Sequence, residues 1–267
     1  MRRPIALVCL DVDGTLIGAS GRVHPRVWDA VDRARAAGIH LAVCSGRPGF
    51  GITRDIAARV APAGWHSFSN GASILELGTG HSRSAPLPAE ALAMLIERAR
   101  RTGHPLELYG DSAYAIEVDT ERARRHAALL GIPLALQPLT EFREPVVRAQ
   151  WLLAHDEAEA VLSAPYPGLD LVASLAPTMA DTLFVSLMRH GVDKGMAVRL
   201  MSAEYGVPLE QVMYVGDGLN DVPAMRVAGW SVAPRDAESH ARAEAESFVS
   251  PADEGGVAEA LALALGA

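Results

Sequence analysis

Aromatic side chains and cysteines are scarce in this sequence. Phe, Trp and Tyr together make up 5% of its 267 residues, so Ala, Val and Leu have to fill the core, a composition that suits helices packed on a sheet. Only two cysteines occur, Cys9 and Cys44, which rules out a disulfide framework; both lie in apolar strand-like runs and read as reduced packing residues of a cytoplasmic protein. Positive charge is also short. The formal net charge of -8 gives no basic footprint for nucleic acid, although a local cationic pocket stays open. No apolar run approaches the ~18 residues of a membrane span. The start, Met1-Arg2-Arg3-Pro4, leads into a short apolar stretch that ends at Asp11, too short for a secretory signal. Internal repeats and low-complexity linkers are absent as well. What is present is hydrophobic content of 49%, enough for a large core, over a length that suggests two domains at about 150 residues each.

Strand and helix signals alternate along the first part of the chain. Ile5 to Leu10 is a continuous apolar run closed by Gly14, as in a central parallel strand. Val27, Val31 and Ala34 recur at helical spacing between Pro25 and Gly38, and Ile39 to Cys44 is a second buried strand, completing a βαβ unit whose crossover is right-handed. A helix over Thr53 to Val60 follows, then Asn70-Gly71 between two short β-like runs, a turn signal. From about Pro86 the texture changes. An amphipathic helix (Ala89 to Arg101), short strands at 106–109 and 113–116, a helix from Thr120 to Leu130 and a cluster of prolines suggest an α+β insert rather than further βα repeats. The parallel pattern resumes after Gly191 with a helix from Lys194 to Tyr205, a strand at Val212 to Val215, a short helix at Val222 to Ala228 and short strands near 231–233 and 247–250. The expected fold class is α/β: a Rossmann-like core with a parallel sheet, formed by residues 1–84 and 187–267, interrupted by an α+β insert over 85–186 large enough to fold as a unit.

Chemistry concentrates at the ends of the buried strands. Asp11 and Asp13 in Asp11-Val12-Asp13-Gly14-Thr15 stand at the carboxyl end of the first strand, where open α/β sheets bind ligands. Their spacing of two turns both toward one crevice if strand geometry persists to Asp13. Like charges that close need either a cation between them, a hard oxygen-liking ion such as Mg²⁺, or a proton on one of them, which is acid–base and nucleophile chemistry. A capped tight turn is the plain alternative. Ser45 follows the second strand, so its hydroxyl and the next amides can face an anion in the same crevice, or merely cap a turn. Lys194-Gly195 opens a helix, where a lysine opposes the helix dipole unless an anion or carboxylate calls for it. Gly216-Asp217-Gly218-Leu219-Asn220-Asp221 adds two carboxylates, Asp217 and Asp221, to a site that already holds two; four acidic groups in one pocket require a cation.

Taken in order, Asp11-Val12-Asp13-Gly14-Thr15, Ser45-Gly46-Arg47, Val192-Asp193-Lys194-Gly195 and Gly216 to Asp221 resemble the four motifs of the haloacid dehalogenase (HAD) superfamily, in its Cof-type branch of phosphatases with a type-2 cap. Asn70-Gly71-Ala72 and Asp253-Glu254-Gly255-Gly256-Val257 match that branch; Ala233-Pro234-Arg235-Asp236-Ala237 departs from its usual Asn-Ala. The insert matches by position and size only. The resemblance implies a Mg²⁺-dependent phosphatase acting on a small phosphate monoester, a sugar phosphate or similar metabolite. Asp11 would be the nucleophile that becomes an aspartyl-phosphate, and Asp13 the acid and base. Mg²⁺ would be held by the Asp11 carboxylate, the Asp13 backbone carbonyl and Asp217, with Asp221 acting directly or through water. Ser45, the Gly46 amide, Lys194 and Asn220 would hold the phosphoryl oxygens, and the insert would close over the core and select the leaving group.

Within that superfamily, the resemblance implies, an Asp two residues after the nucleophile, here Asp13, goes with phosphate esters rather than with carbon–halogen or carbon–phosphorus bonds. The alternatives are a phosphomutase or phosphotransferase of the same superfamily, a receiver-like phospho-Asp signalling domain, and a non-catalytic binding module on this fold. The expected partner is a small phosphorylated metabolite, with no nucleic acid and no membrane, and the protein a monomer or homodimer. In the insert Asp111, Tyr114, Glu117, Asp119, His126 and Arg148 could reach a substrate, although each also fits an ordinary surface or packing role. His190 near Lys194 has the same standing, and Arg47 supports either a phosphate or its own loop.

Overall fold

Four apolar residues, Leu7–Leu10 (β1), enter the fold with no exposed side chain. A strand without a polar face needs cover on both sides, which a parallel sheet clad by helices provides. The computed structural model describes residues 4–266; the Met1-Arg2-Arg3 start lies outside the described residues. After β1 come α1 (Pro25–Ala36), β2 (His40–Val43), α2 (Ile52–Val60) and an antiparallel hairpin of β3 (Trp65–Phe68) and β4 (Ser73–Glu76). Next are α3 (Ala89–Thr102), β5 (Leu106–Tyr109), β6 (Tyr114–Ile116), α4 (Glu121–Leu130), β7 (Arg148–Leu153), α5 (Ala158–Leu162), β8 (Leu169–Leu175) and β9 (Leu183–Arg189). The chain closes with α6 (Lys194–Glu204), β10 (Val212–Val215), α7 (Val222–Val227), β11 (Trp230–Pro234), α8 (Ser239–Glu244), β12 (Ser247–Val249) and α9 (Gly256–Ala264).

Packing divides the chain into two units, one built from the chain up to Arg47, Thr53–Arg83 and the chain from Asp193, the other from Pro48–Ile52 and Ser84–Val192. In the first unit a parallel sheet runs β12-β11-β10-β1-β2. Strand order changes direction between β1 and β10, so the segments leaving their carboxyl ends turn to opposite faces of the sheet, the place where open α/β sheets bind ligands. Val8, Leu10, Val43 and Val215 pack on one face, under α1 and α9, and Leu7, Cys9, Ala42 and Tyr214 on the other, under α6 and α7. Cys9 and Cys44 are both buried free thiols.

His66 on β3 locks the hairpin to the main sheet. Its Nδ1 accepts the Val43 amide at 3.0 Å while Nε2 lies 2.8 Å from the Ala61 carbonyl, so the neutral Nε2–H tautomer satisfies both. Burial lowers its pKa from 6.5 to about 4. The unfolded chain therefore binds a proton that the native state refuses between those values, and stability falls as pH drops through that window. We expect His66 to cost about 2 kcal/mol at pH 5 relative to pH 8. Urea unfolding should show His66→Gln losing less stability over this range than the parent; equal pH slopes would remove the assignment.

The second unit is an antiparallel sheet in the order β6-β5-β7-β9-β8. Leu106, Leu108, Trp151, Val185 and Leu187 on one face pack with Leu95 and Ile96 of α3. Opposite lies a buried polar row. Glu107, fully buried, accepts from Tyr109 Oη at 2.6 Å and Gln150 Nε2 at 3.2 Å, and His126 Nδ1 lies 2.9 Å from its Oε1. The Arg148 guanidinium sits 4.0 Å over the Tyr109 ring, and Phe50 stacks on Tyr109 and Tyr114. Three of the strands, β7 to β9, were not legible as strands. β7 alternates Arg148 and Gln150 with apolar residues but buries both sets, and the edge strand β8 leaves Val172 to Leu175 exposed, so neither shows a simple polar-out pattern.

Candidate active site

The hydrogen-bond ladder of β1 reaches Asp11, whose amide donates to the Val215 carbonyl at 2.9 Å, and then stops. Asp13 therefore is not placed by strand alternation: it lies in the turn beyond, where Gly14 adopts φ +81°. A side chain at Gly14 would collide with the Asp217 carboxylate, so glycine is what lets the first and fourth motifs meet. Thr15 Oγ1 adds a 3.0 Å hydrogen bond to Asp217 Oδ1.

Asp11, Asp217 and Asp221 each bring a carboxylate oxygen within 4.8 Å of the others. Lys194 is wholly buried and donates at 2.6 Å both to Asp11 Oδ1 and to Asp221 Oδ1. This resolves the oddity of a lysine opening a helix: Asp193 supplies the helix cap, its Oδ1 accepting Met196 N–H at 2.7 Å, while the ammonium answers two carboxylates. One cation against three anions leaves the cluster electron-rich. Burial first, then the charges of Asp221 and Asp217, hold the Asp11 carboxyl well above its usual range despite Lys194. Burial and Asp221 likewise push Asp217 up to about 6. Burial alone would lower the Lys194 pKa, but Asp11 and Asp221 more than offset that and raise it.

Asp221 has no capacity to spare. Its Oδ1 accepts from Lys194 and, at 2.6 Å, from Tyr214 Oη; its Oδ2 accepts the Asp217 and Gly218 amides at 3.0 and 2.9 Å, which fills the four lone-pair sites of a carboxylate. Among the described residues, in contrast, no donor is bonded to Asp11 Oδ2 or Asp217 Oδ2. The residues fit a small hard cation: the donors are all oxygens, they carry surplus negative charge, and two of them are open.

Asp13 is half exposed and points elsewhere, held by a fork from Arg47, Nε to Oδ2 at 2.8 Å and Nη2 to Oδ1 at 2.5 Å. Ser45 is buried, and its Oγ accepts the Arg47 amide at 3.0 Å. Asn220 is exposed and donates to Asn70 Oδ1 at 2.9 Å; Gly46 lies against the same Asn70 amide. The Tyr214–Asp221, Thr15–Asp217, Asn70–Asn220 and Arg47–Asp13 contacts were not identified from sequence, although Thr15 and Asn70 lie in quoted motifs. Tyr214 sat inside an apolar run where a phenol reads as packing, and the others depend on contacts between distant segments.

The residues of the second unit singled out from sequence are engaged within that unit. His126 and Arg148 belong to the polar row around Glu107 and Tyr109. Tyr114 donates to the Pro133 carbonyl at 2.9 Å, Glu117 pairs with Arg100, Asp119 with Arg124 and His190 with Asp170. Ser84 donates to Asp111 at 2.7 Å.

This chain belongs to the haloacid dehalogenase-like hydrolases, whose family model matches residues 8–261. It is 24% identical to YxeH of Bacillus subtilis over 263 residues, covering 96% of each chain. With the phosphatase YwpJ of the same organism it shares 23% identity, across 94% of this chain and 97% of that one. A haloacid dehalogenase-like hydrolase from Bacteroides thetaiotaomicron superposes with a TM-score of 0.84 at 25% identity, covering 97% and 99% of the two chains. The α/β fold and the family membership that the four motifs implied are both met. Among the described residues no helix is long and apolar enough to cross a membrane.

Proposed function

We propose that this protein is a Mg²⁺-dependent phosphatase that hydrolyses a small phosphate monoester, a sugar phosphate or similar metabolite, through an aspartyl-phosphate on Asp11. The observation that carries the reading is the asymmetry of the Asp11 carboxylate: Oδ1 is held by Lys194, while among the described residues no donor is bonded to Oδ2. Asp11, Asp217 and the Asp13 backbone carbonyl would hold Mg²⁺, which when bound supplies positive charge to the phosphoryl oxygens and to Asp11. Asp221, saturated by its four donors, keeps Lys194 and the motif-four loop in place.

An Asp11 oxygen attacks phosphorus as the bond to the ester oxygen breaks, and Asp13 gives the departing alkoxide its proton. Asp13 then takes a proton from water, whose oxygen attacks phosphorus; the bond to Asp11 breaks and inorganic phosphate leaves. Ser45, the Gly46 amide, Lys194 and Asn220 hold the phosphoryl oxygens through both steps, and Arg47 orients Asp13. A small phosphorylated metabolite is supported by two relatives' names. One is 5-amino-6-(5-phospho-D-ribitylamino)uracil phosphatase YwtE of Bacillus subtilis, 23% identical. The other, similar in fold at 20% identity, is a sugar phosphatase of HAD subclass IIB.

Turnover of a generic aryl phosphate should vanish after dialysis against EDTA and return with Mg²⁺. Added Mg²⁺ should also raise the melting temperature of the parent but not of Asp217→Asn, because the ion relieves repulsion among buried carboxylates. Activity indifferent to EDTA would end the metal-dependent reading. For Asp13→Asn, steady-state turnover should fall at least about 100-fold, with a phosphorylated species visible by intact-protein mass. A wild-type rate there would remove Asp13 from the proton transfers.

A further inference from the structure

Ser69-Asn70-Gly71 is a contorted turn with three successive positive φ angles. Ser69 and Asn70 have φ of +50° and +54°, followed by Gly71 at +99°, and among the described residues these two are the only non-glycine residues with positive φ. Side chains are disfavoured in this region, and such residues persist where their surroundings hold them. Here three loops do so. The Ser69 and Asn70 amides donate to the Arg47 and Ser45 carbonyls at 2.8 and 3.0 Å. Gly71 lies so close to the Asp193 carbonyl, just ahead of Lys194, that a Cβ would clash with it. Asn70 Oδ1 accepts Asn220 Nδ2 at 2.9 Å and stands 3.1 Å from where a Cβ of Gly46 would be. One short turn thus touches the second, third and fourth motifs.

We propose that Asn70 is a positioning residue of the active site that acts through Asn220. The inference rests on the reading of Asn220 as a phosphoryl ligand. Asn220 is exposed, and an exposed amide without a partner samples several rotamers. Asn70 takes one of its two N–H groups, which fixes the plane of the amide and the direction of the second. Asparagine suits the position doubly, because it tolerates left-handed backbone better than other side chains and carries the required acceptor.

The test compares Asn70→Gly, Asn220→Ala and the double variant on an aryl phosphate, with inorganic phosphate as competing product. Glycine relaxes the backbone, so Asn70→Gly should melt no lower than the parent. Its kcat/KM should nevertheless fall about tenfold, the scale on which outer partners of active-site ligands act. Its inhibition constant for inorganic phosphate should rise in step, and the double variant should be no worse than Asn220→Ala. If Asn220→Ala is impaired while Asn70→Gly stays within about twofold of the parent, or if the two losses multiply, the Asn70 proposal fails and the phosphoryl-ligand reading survives. If Asn220→Ala is itself unimpaired, that reading fails and takes the Asn70 proposal with it.

Discussion

Asp11→Asn is expected to abolish turnover, by at least about 10⁴-fold, because an amide cannot form the acyl-phosphate on which the two-step route depends. The same substitution should leave the metal-free protein at least as stable as the parent. Burial and the neighbouring Asp221 and Asp217 carboxylates hold Asp11 well above its usual range. A carboxyl raised in this way costs stability as pH rises above its unfolded value of 3.8, and the neutral amide is free of that cost at pH 7. Melting curves without metal, paired with aryl phosphate turnover, separate the two effects. An inactive, destabilised variant would show that Asp11 serves the fold, and an active one would exclude it as nucleophile.

Lys194→Met should produce the largest loss of stability of any single change in the site. The ammonium bonds Asp11 and Asp221 at 2.6 Å with neither side chain exposed beyond 7%, so its removal strands two buried carboxylates. Breaking a buried ion pair from one side costs about 3–5 kcal/mol, and activity should disappear with it. The deficit should shrink as pH falls and Asp11, whose carboxyl is held well above its usual range, takes up a proton, which urea unfolding at pH 7.5 and pH 5 would show. A deficit under about 1 kcal/mol at neutral pH would mean that the cluster carries little charge when Lys194 is absent.

Individual residues show how far sequence reading reaches. Asp11 was legible because an apolar run rarely ends in carboxylates without a purpose. Lys194 was legible as a charge in the wrong place on a helix, and its partners proved to be carboxylates, as that misplacement suggested. Asp13 was singled out on a geometric premise that fails: β1 ends before it, and Arg47 sets its direction. Asp221 was grouped with the metal donors, directly or through water; it lies in one acidic cluster with Asp11 and Asp217, and its oxygens accept from Lys194, Tyr214 and two amides. Tyr214 was invisible because an aromatic in a buried strand gives no sign of where its hydroxyl ends.

By itself the sequence determined the α/β class, the parallel core, the four motifs and three members of the acidic cluster, Asp11, Asp217 and Asp221, since hydrophobic periodicity and unusual charge are local properties of the chain. Only the tertiary structure decided that Asp217 meets Thr15, that Arg47 grips Asp13, that Tyr214 completes Asp221 and that Asn70 braces Asn220. Those pairings join segments up to about two hundred residues apart. They follow from strand order and from backbone turns such as Ser69-Asn70-Gly71, which no local pattern encodes.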